Sequence, residues 1–182
     1  MYRCNLIFWI TLAMLGSGIT PGMCQVFKTR QQVLQEVFAG EDTVIRKTLF
    51  LDDAQLKAIQ EKSNSALKSP VITYYLGMKN QLPTKYAFFE DKIVRTKKAI
   101  ILVVVTPAHK IERLEVLAFD EPRDYLPIPK WFTLFIGKSL SDQLFPGKGI
   151  HAVTGATLSV RAFTELARQA LAIQELIGKE TP

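Results

Sequence analysis

Cysteine is almost absent from this chain. Its 182 residues hold two, Cys4 and Cys24, and both fall in the apolar N-terminal stretch. Beyond residue 24 there is no thiol, hence no disulfide, no Cys-x-x-Cys redox pair and no thiolate metal site. Histidine is as scarce, with only His109 and His151, which argues against a zinc or haem centre. Any redox chemistry would therefore need an organic cofactor. Charge of either sign is spread thinly: 23 Lys and Arg against 17 Asp and Glu give a net +6. No basic stripe interleaved with aromatics appears, so no nucleic-acid partner is expected. A mild preference for anionic partners or membrane surfaces is what the charge leaves. Gly-x-Gly-x-x-Gly is missing. Gly137-Lys138-Ser139-Leu140 is not a P-loop, lacking the first glycine and the preceding strand. There is no Ser/His/Asp set, no pair of acids placed for proton transfer, no internal repeat and no low-complexity segment. These absences favour a carrier over a stand-alone oxidoreductase.

What is present describes one folded domain. The length suits one core and hardly two, and 48% hydrophobic with 22% charged residues is the balance of a globular chain. Residues 1–24 read as a signal peptide. Arg3 supplies the positive start, Leu6 to Leu15 an apolar run broken only by Thr11, and Gly16, Ser17 and Gly18 the small residues. The run is short for a membrane span. Cleavage after Gly18 or after Cys24 both fit, and an uncleaved anchor is the alternative. The expected location is periplasmic or otherwise extracytoplasmic, leaving 25–182 as a single domain.

Along that domain, Thr29 to Ala39 reads as a helix with Val33, Leu34, Val37 and Phe38 on one face and Gly40 as its stop. Thr43 to Leu51 is strand-like. Asp52 with Gln55 three residues on forms a capping-box pattern opening a helix over 53–62, with Leu56 and Ile59 inward. Val71 to Met78 is a strand with Tyr74 and Tyr75 on opposite faces. Lys85–Phe89 and Lys92–Arg95 resemble a short hairpin around Glu90-Asp91. Ala99 to Thr106, almost wholly apolar, predicts a central strand covered on both faces. It pairs in a hairpin with Ile111 to Phe119, whose alternation is imperfect. Asp120 to Pro129 is a loop, and Lys130 to Ile136 a short helix with Trp131, Leu134 and Phe135 inward. The last helix, 158–177, carries Phe163, Leu166, Ala167, Ala170, Ile173 and Ile177 at helical spacing, with Gly178 as its stop. The expected fold is α+β: an antiparallel β-sheet flanked by helices, the C-terminal helix packed on it.

Just before that helix, Ile150 to Ser159 reads Ile-His-Ala-Val-Thr-Gly-Ala-Thr-Leu-Ser. Gly155 can take φ > 0, and Gly155 and Ala156 permit close approach to the backbone. A helix N-terminus offers free N–H groups and partial positive charge, a seat for phosphate. The plainer account of the same residues is a hydroxyl N-cap in a tight turn. Lys148, just upstream, is either a solvated loop lysine or a phosphate neighbour.

Thr154-Gly155-Ala156-Thr157-Leu158-Ser159 resembles the Thr/Ser-Gly-Ala-Thr-x-Ser/Thr signature of the FMN-binding domain family. That family includes flavin subunits of Rnf and sodium-pumping quinone reductase complexes and the extracytoplasmic part of NosR-type regulators. The resemblance runs from about Ala99 to Ala172. It implies FMN as cofactor, held through a phosphoester on Thr157 that a flavin transferase installs, so that the C-terminal helix follows a flavin-attachment loop. It also implies membrane or periplasmic redox proteins as partners. Where the family usually has Asp, this chain has His151. Where the family has a Glu-Thr-Pro-Gly-Leu-Gly loop against the flavin, this chain has Glu121-Pro122-Arg123-Asp124-Tyr125-Leu126; Glu121 survives in kind, and Tyr125 is either a ring-stacking residue or a half-buried loop aromatic. The resemblance implies an electron-transfer protein. A non-covalent flavin or ligand module, a non-redox structural or sensory domain, and a flavin-dependent reductase are the rival expectations.

Overall fold

The structure, a computed structural model, describes residues 25–180; the expected signal peptide lies outside them. Strands β1 (Gln25–Val26), β2 (Thr43–Phe50), β3 (Val71–Lys79), β4 (Leu82–Ile93), β5 (Lys98–Val105) and β6 (Ile111–Phe119) form one sheet in the order β1-β6-β5-β4-β3-β2. Every pairing in it is antiparallel. Helix α1 (Arg30–Val37) covers one face. On the other lie α2 (Asp53–Ser63) and the long α4 (Thr157–Glu180). Between β6 and α4 come the short α3 (Pro129–Phe132), a 3-10 turn over Thr133–Phe135, and the two-residue parallel pair β7 (Phe145–Pro146) and β8 (Gly149–Ile150). Among the described residues no helix is long and apolar enough to cross a membrane. The α+β architecture expected from the sequence is the one observed.

Local chemistry explains most of these elements. Thr29 and Asp52 close capping boxes with Gln32 and Gln55 at the starts of α1 and α2, so the orphan amides of each first turn are met by side chains. Both inward faces are as expected: Val33, Val37 and Phe38 under α1, Ile59 under α2. In β5, Ile101, Val103 and Val105 face the α4 side while Leu102 and Val104 face the α1 side, all fully buried. Tyr74 and Tyr75 split between the same two cores. The imperfect alternation of β6 has a physical cause. The β5–β6 register shifts at Ile100/Ile101 and at Val104/Val105, and each such bulge turns the following side chains to the other face. That is how Leu117 reaches the α1 side while Val116 and Phe119 reach the α4 side.

Two expectations are corrected. No hairpin forms around Glu90-Asp91: β4 runs unbroken through them, and the tight turn lies earlier, at Asn80 and Gln81, both with positive φ. Nor does Gly178 end the last helix, which continues to Glu180. A Cβ on Gly178 would come within 3.1 Å of the His109 ring. The glycine thus makes room for the β5–β6 turn, where His109 Nδ1 is 2.5 Å from the side-chain oxygen of buried Gln174.

Candidate functional site

Helix α4 is the scaffold of the site, and it is fixed along its length. The expected stripe, Phe163 to Ile177, is buried throughout. Its polar residues are buried too and serve as ties. Arg168, 5% exposed, donates from Nε to the Ser63 carbonyl (2.7 Å) and from Nη1 to the Leu144 carbonyl (2.6 Å). Its guanidinium also lies over the Phe145 ring at 4.2 Å. Gln169 donates to the Ala66 carbonyl at 2.9 Å. Arg168 and Gln169 thus tie α4 to α2, to the loop that follows it and to the 144–145 loop, and burial of the guanidinium lowers the Arg168 pKa, with the Glu165 charge opposing.

The loop ahead of α4 is tied as firmly. Trp131 Nε1 donates to the His151 carbonyl at 2.8 Å. The Trp131 ring packs against Phe132 and Phe135, each 5.1 Å away, and against Phe163 of α4 at 6.4 Å. Ile150 is buried. The Ala156 amide donates to Val153 O (3.1 Å) and its carbonyl accepts the first helical bond from Val160 (2.9 Å). Ala156 is thus the N-cap residue. It is 2% exposed and has no side-chain acceptor, so the hydroxyl N-cap account fails here. The amides of Thr157, Leu158 and Ser159 are left as donors without a protein acceptor among the described residues. Gly155 has φ +84, as expected of a turn that directs the chain into the helix.

Around this N-terminus opens a cleft of about 280 Å³ lined by Arg95, Tyr125 and Gly155 to Ser159. Thr157 and Leu158 are exposed there. Ser159 is buried, and its hydroxyl donates to the Tyr125 carbonyl; it positions the Tyr125 loop rather than facing the cleft as a free hydroxyl. The Arg95 guanidinium stacks over the Tyr125 ring at 4.4 Å and makes no ion pair among the described residues. Arg95 was not foreseen from the sequence. It sits in the β4–β5 turn, sixty positions from the signature, and no local pattern marks it.

Glu121 explains how that turn is held. Its carboxylate accepts from the amides of Thr96 (2.6 Å) and Lys97 (2.8 Å) and from the Thr96 hydroxyl (3.2 Å). These bonds, the Thr96 amide foremost, lower its pKa. Glu121 is buried and does not line the cleft; it positions the turn that carries Arg95. Thr154 and His151 are exposed and do not line it. Lys148 does not either, so the cation of the cleft is Arg95. Of the expected contacts, Tyr125, Gly155, Ala156, Thr157, Leu158 and Ser159 are brought together.

Residues 97–172 match the sequence model of the FMN-binding domain. Over those residues the chain is similar to the FMN-binding domain family. The match spans β5, β6, the Tyr125 loop and the first two thirds of α4, and no curated protein or solved structure matches the chain. FMN is the cofactor this domain binds. The residues present fit its phosphate end: three free helix amides, an unpaired arginine and an exposed threonine converge on one cleft. At about 280 Å³ the cleft lies near the lower end of the range of about 300–1,000 Å³ usual for small-ligand pockets. Among the described residues no cluster of His, Cys, Asp or Glu could hold a metal ion.

Proposed function

We propose that this protein is an extracytoplasmic electron carrier whose FMN is held covalently, through a phosphoester on the Thr157 hydroxyl. The observation that carries the reading is the setting of Thr157. It is the first helical residue of α4, exposed, and flanked by free amides and by Arg95. Together the helix dipole, the amides and the guanidinium favour a phosphate at this hydroxyl. Tyr125 presents a ring beside it, and Glu121 and Ser159 keep Arg95 and Tyr125 in place. The chemistry supplied by the bound flavin is one- or two-electron exchange. The protein's part is to hold the cofactor, set the charge at its phosphate and leave its far end accessible.

Several observations favour a carrier. The cleft is open, and no second set of acid, base and nucleophile lines it. Membrane or periplasmic redox proteins are the proposed partners, with a flavin transferase for maturation. An apolar N-terminal run places the domain outside the cytoplasm in this reading, where no FMN pool would replace a lost cofactor.

The test is the intact mass of the denatured full chain, produced in an exporting host with a flavin transferase. One bound FMN, absent in Thr157→Val, is the expected result and would also establish that His151 serves where the family usually has Asp. Unmodified mass with a yellow native protein would replace the covalent reading with a non-covalent module. Unmodified and colourless protein would overturn the flavoprotein reading altogether.

A further inference from the structure

The sheet is not closed along its whole length. Strand β3 pairs with β4 only from Tyr74 to Lys79, starting at Tyr74 opposite Phe88. Residues 71–73 continue to pair with β2, and residues 89–93 with β5, but the two segments do not pair with each other. Backbone groups on their facing edges therefore lack the strand partner that a full ladder would give. Here lies a cavity of about 850 Å³. Its walls are Leu67, Ile72 and Leu166, from the 65–70 loop, β3 and α4.

Glu90 lies in the wall of this opening. Strand alternation puts it on the α4 side with Phe88, between Ile72 and Ile101, both buried. It makes no hydrogen bond or ion pair among the described residues, whereas every other charged side chain at the cavity is engaged. Lys68 and Lys98 both meet Asp91, at 2.7 and 3.4 Å, and Lys92 pairs with Glu165 of α4. Gln169, the polar residue of α4 at the cavity, is occupied by the Ala66 carbonyl. One half-buried carboxyl is thus left without a partner beside the apolar walls of the opening, where desolvation disfavours its ionised form unless something pairs with it.

We infer that this opening between β3 and β4 is a second binding site, one that takes a small organic ammonium ion with an apolar body. The ammonium meets the Glu90 carboxylate and carbonyl oxygens of the unpaired strand edges, and the body lies against Leu67, Ile72 and Leu166. Neutral ligands would leave Glu90 unpaired, and organic anions would face it directly. Burial raises the Glu90 pKa to about 7, with Asp91 adding to the rise and Lys68 opposing it. Below that pH the carboxyl is neutral and loses its attraction for a cation, so affinity should rise through pH 7. The other charged groups at this opening, Lys68, Lys92, Lys98, Asp91 and Glu165, are held in ion pairs with one another. The site lies outside the Thr157 cleft and does not depend on the flavin reading.

The experiment is calorimetric titration of the purified full chain with n-hexylammonium, and with hexan-1-ol as the neutral probe of equal length, at pH 6 and pH 8. The inference expects saturable hexylammonium binding at pH 8, about tenfold weaker at pH 6, and weaker hexanol binding without that pH dependence. Glu90→Gln keeps the side-chain volume, and a thermal melt confirms that it folds; it should lose at least tenfold in hexylammonium affinity at pH 8. No binding of the ammonium ion, equal binding of the alcohol, or an unchanged affinity in Glu90→Gln would each overturn it.

Discussion

Replacing Gly149 by alanine separates backbone geometry from mere glycine flexibility. Gly149 has φ +80, a region that costs an L-residue about 1–2 kcal/mol. Its added Cβ would also stand 1.9 Å from the carbonyl oxygen of Gln143 and 2.9 Å from its carbonyl carbon. Those are backbone atoms, so the 143–150 loop must move, and forced shifts of this kind add about 1–3 kcal/mol. The combined loss, roughly 2–5 kcal/mol, is a large share of the 5–15 kcal/mol by which such domains are stable. Gly147, two residues earlier, is the internal control. Its φ is +75, but a Cβ there meets nothing within 4 Å, so Gly147→Ala should lose about 1 kcal/mol. At about 2–4 °C per kcal/mol for a chain of this size, thermal melts should fall by about 3 °C for Gly147→Ala and about 10 °C for Gly149→Ala. Urea titration should give the same order with unchanged slope. Because Gly149 leads into Ile150 and the Thr157 cleft, flavin retention should fall with it. Equal losses in the two variants would refute the close approach of Gly149 to Gln143.

Other perturbations follow from single contacts. Glu121→Gln should remove an acid-labile element: the lowered pKa of Glu121 contributes stability above the unfolded value of about 4.3 and loses it as pH falls through the folded one. Wild type and variant should therefore draw together in melts taken at progressively lower pH beneath the unfolded value. Glu90 has the opposite sign. With its pKa raised to about 7, the ionised form is disfavoured in the fold, so stability falls as pH rises from about 4.5 to 7. Glu90→Gln should then gain about 1–2 kcal/mol at pH 8 and little at pH 4, after allowing for its partial exposure. Arg168→Ala leaves the Ser63 and Leu144 carbonyls without their donors and should lower the urea-derived stability by about 2–4 kcal/mol. Arg95→Ala should weaken FMN binding in a Thr157→Val background by up to about tenfold, an effect that shrinks at high salt; unchanged affinity would remove Arg95 from the site.

Short-range signals carried much of this structure. The apolar run at 99–106, the stripe along 158–177 and the Asp52–Gln55 capping box each state their geometry within a few residues, and all are observed. What stayed hidden depends on distant partners. Glu90-Asp91 looks like a turn because two adjacent carboxylates, followed by Lys92, rarely sit inside a sheet. Here they lie where β3 has already parted from β4, so Asp91 and Lys92 reach Lys68 and Glu165 from an open edge. Gly178 looks like a helix stop, yet its role is set by the His109 ring from another turn. The site divides the same way. The residues from Gly155 to Ser159 were legible because a loop-to-helix turn is local. Arg95 was not, since only the carboxylate of Glu121 brings its turn to the cleft, and Glu121 itself had been expected against the flavin.

The size of the cleft bears on why a covalent link would be used at all. In the proposed mode a seat of about 280 Å³, formed by one helix end, one guanidinium and one half-buried ring, would cover the phosphate end of FMN and leave much of the cofactor in contact with solvent. Contacts to a phosphate at an open surface are screened by salt, and little apolar area is removed from water, so non-covalent affinity is limited. An enclosed pocket would raise affinity but would also bury the ring away from a redox partner. The proposed phosphoester at Thr157 resolves that conflict: retention no longer depends on enclosure, and the ring can stay near the surface. The rigidity of α4 and its loop then has a purpose beyond stability. With Trp131, Arg168 and Ser159 fixing the anchor, a cofactor bound as proposed would be held at a constant position for each encounter.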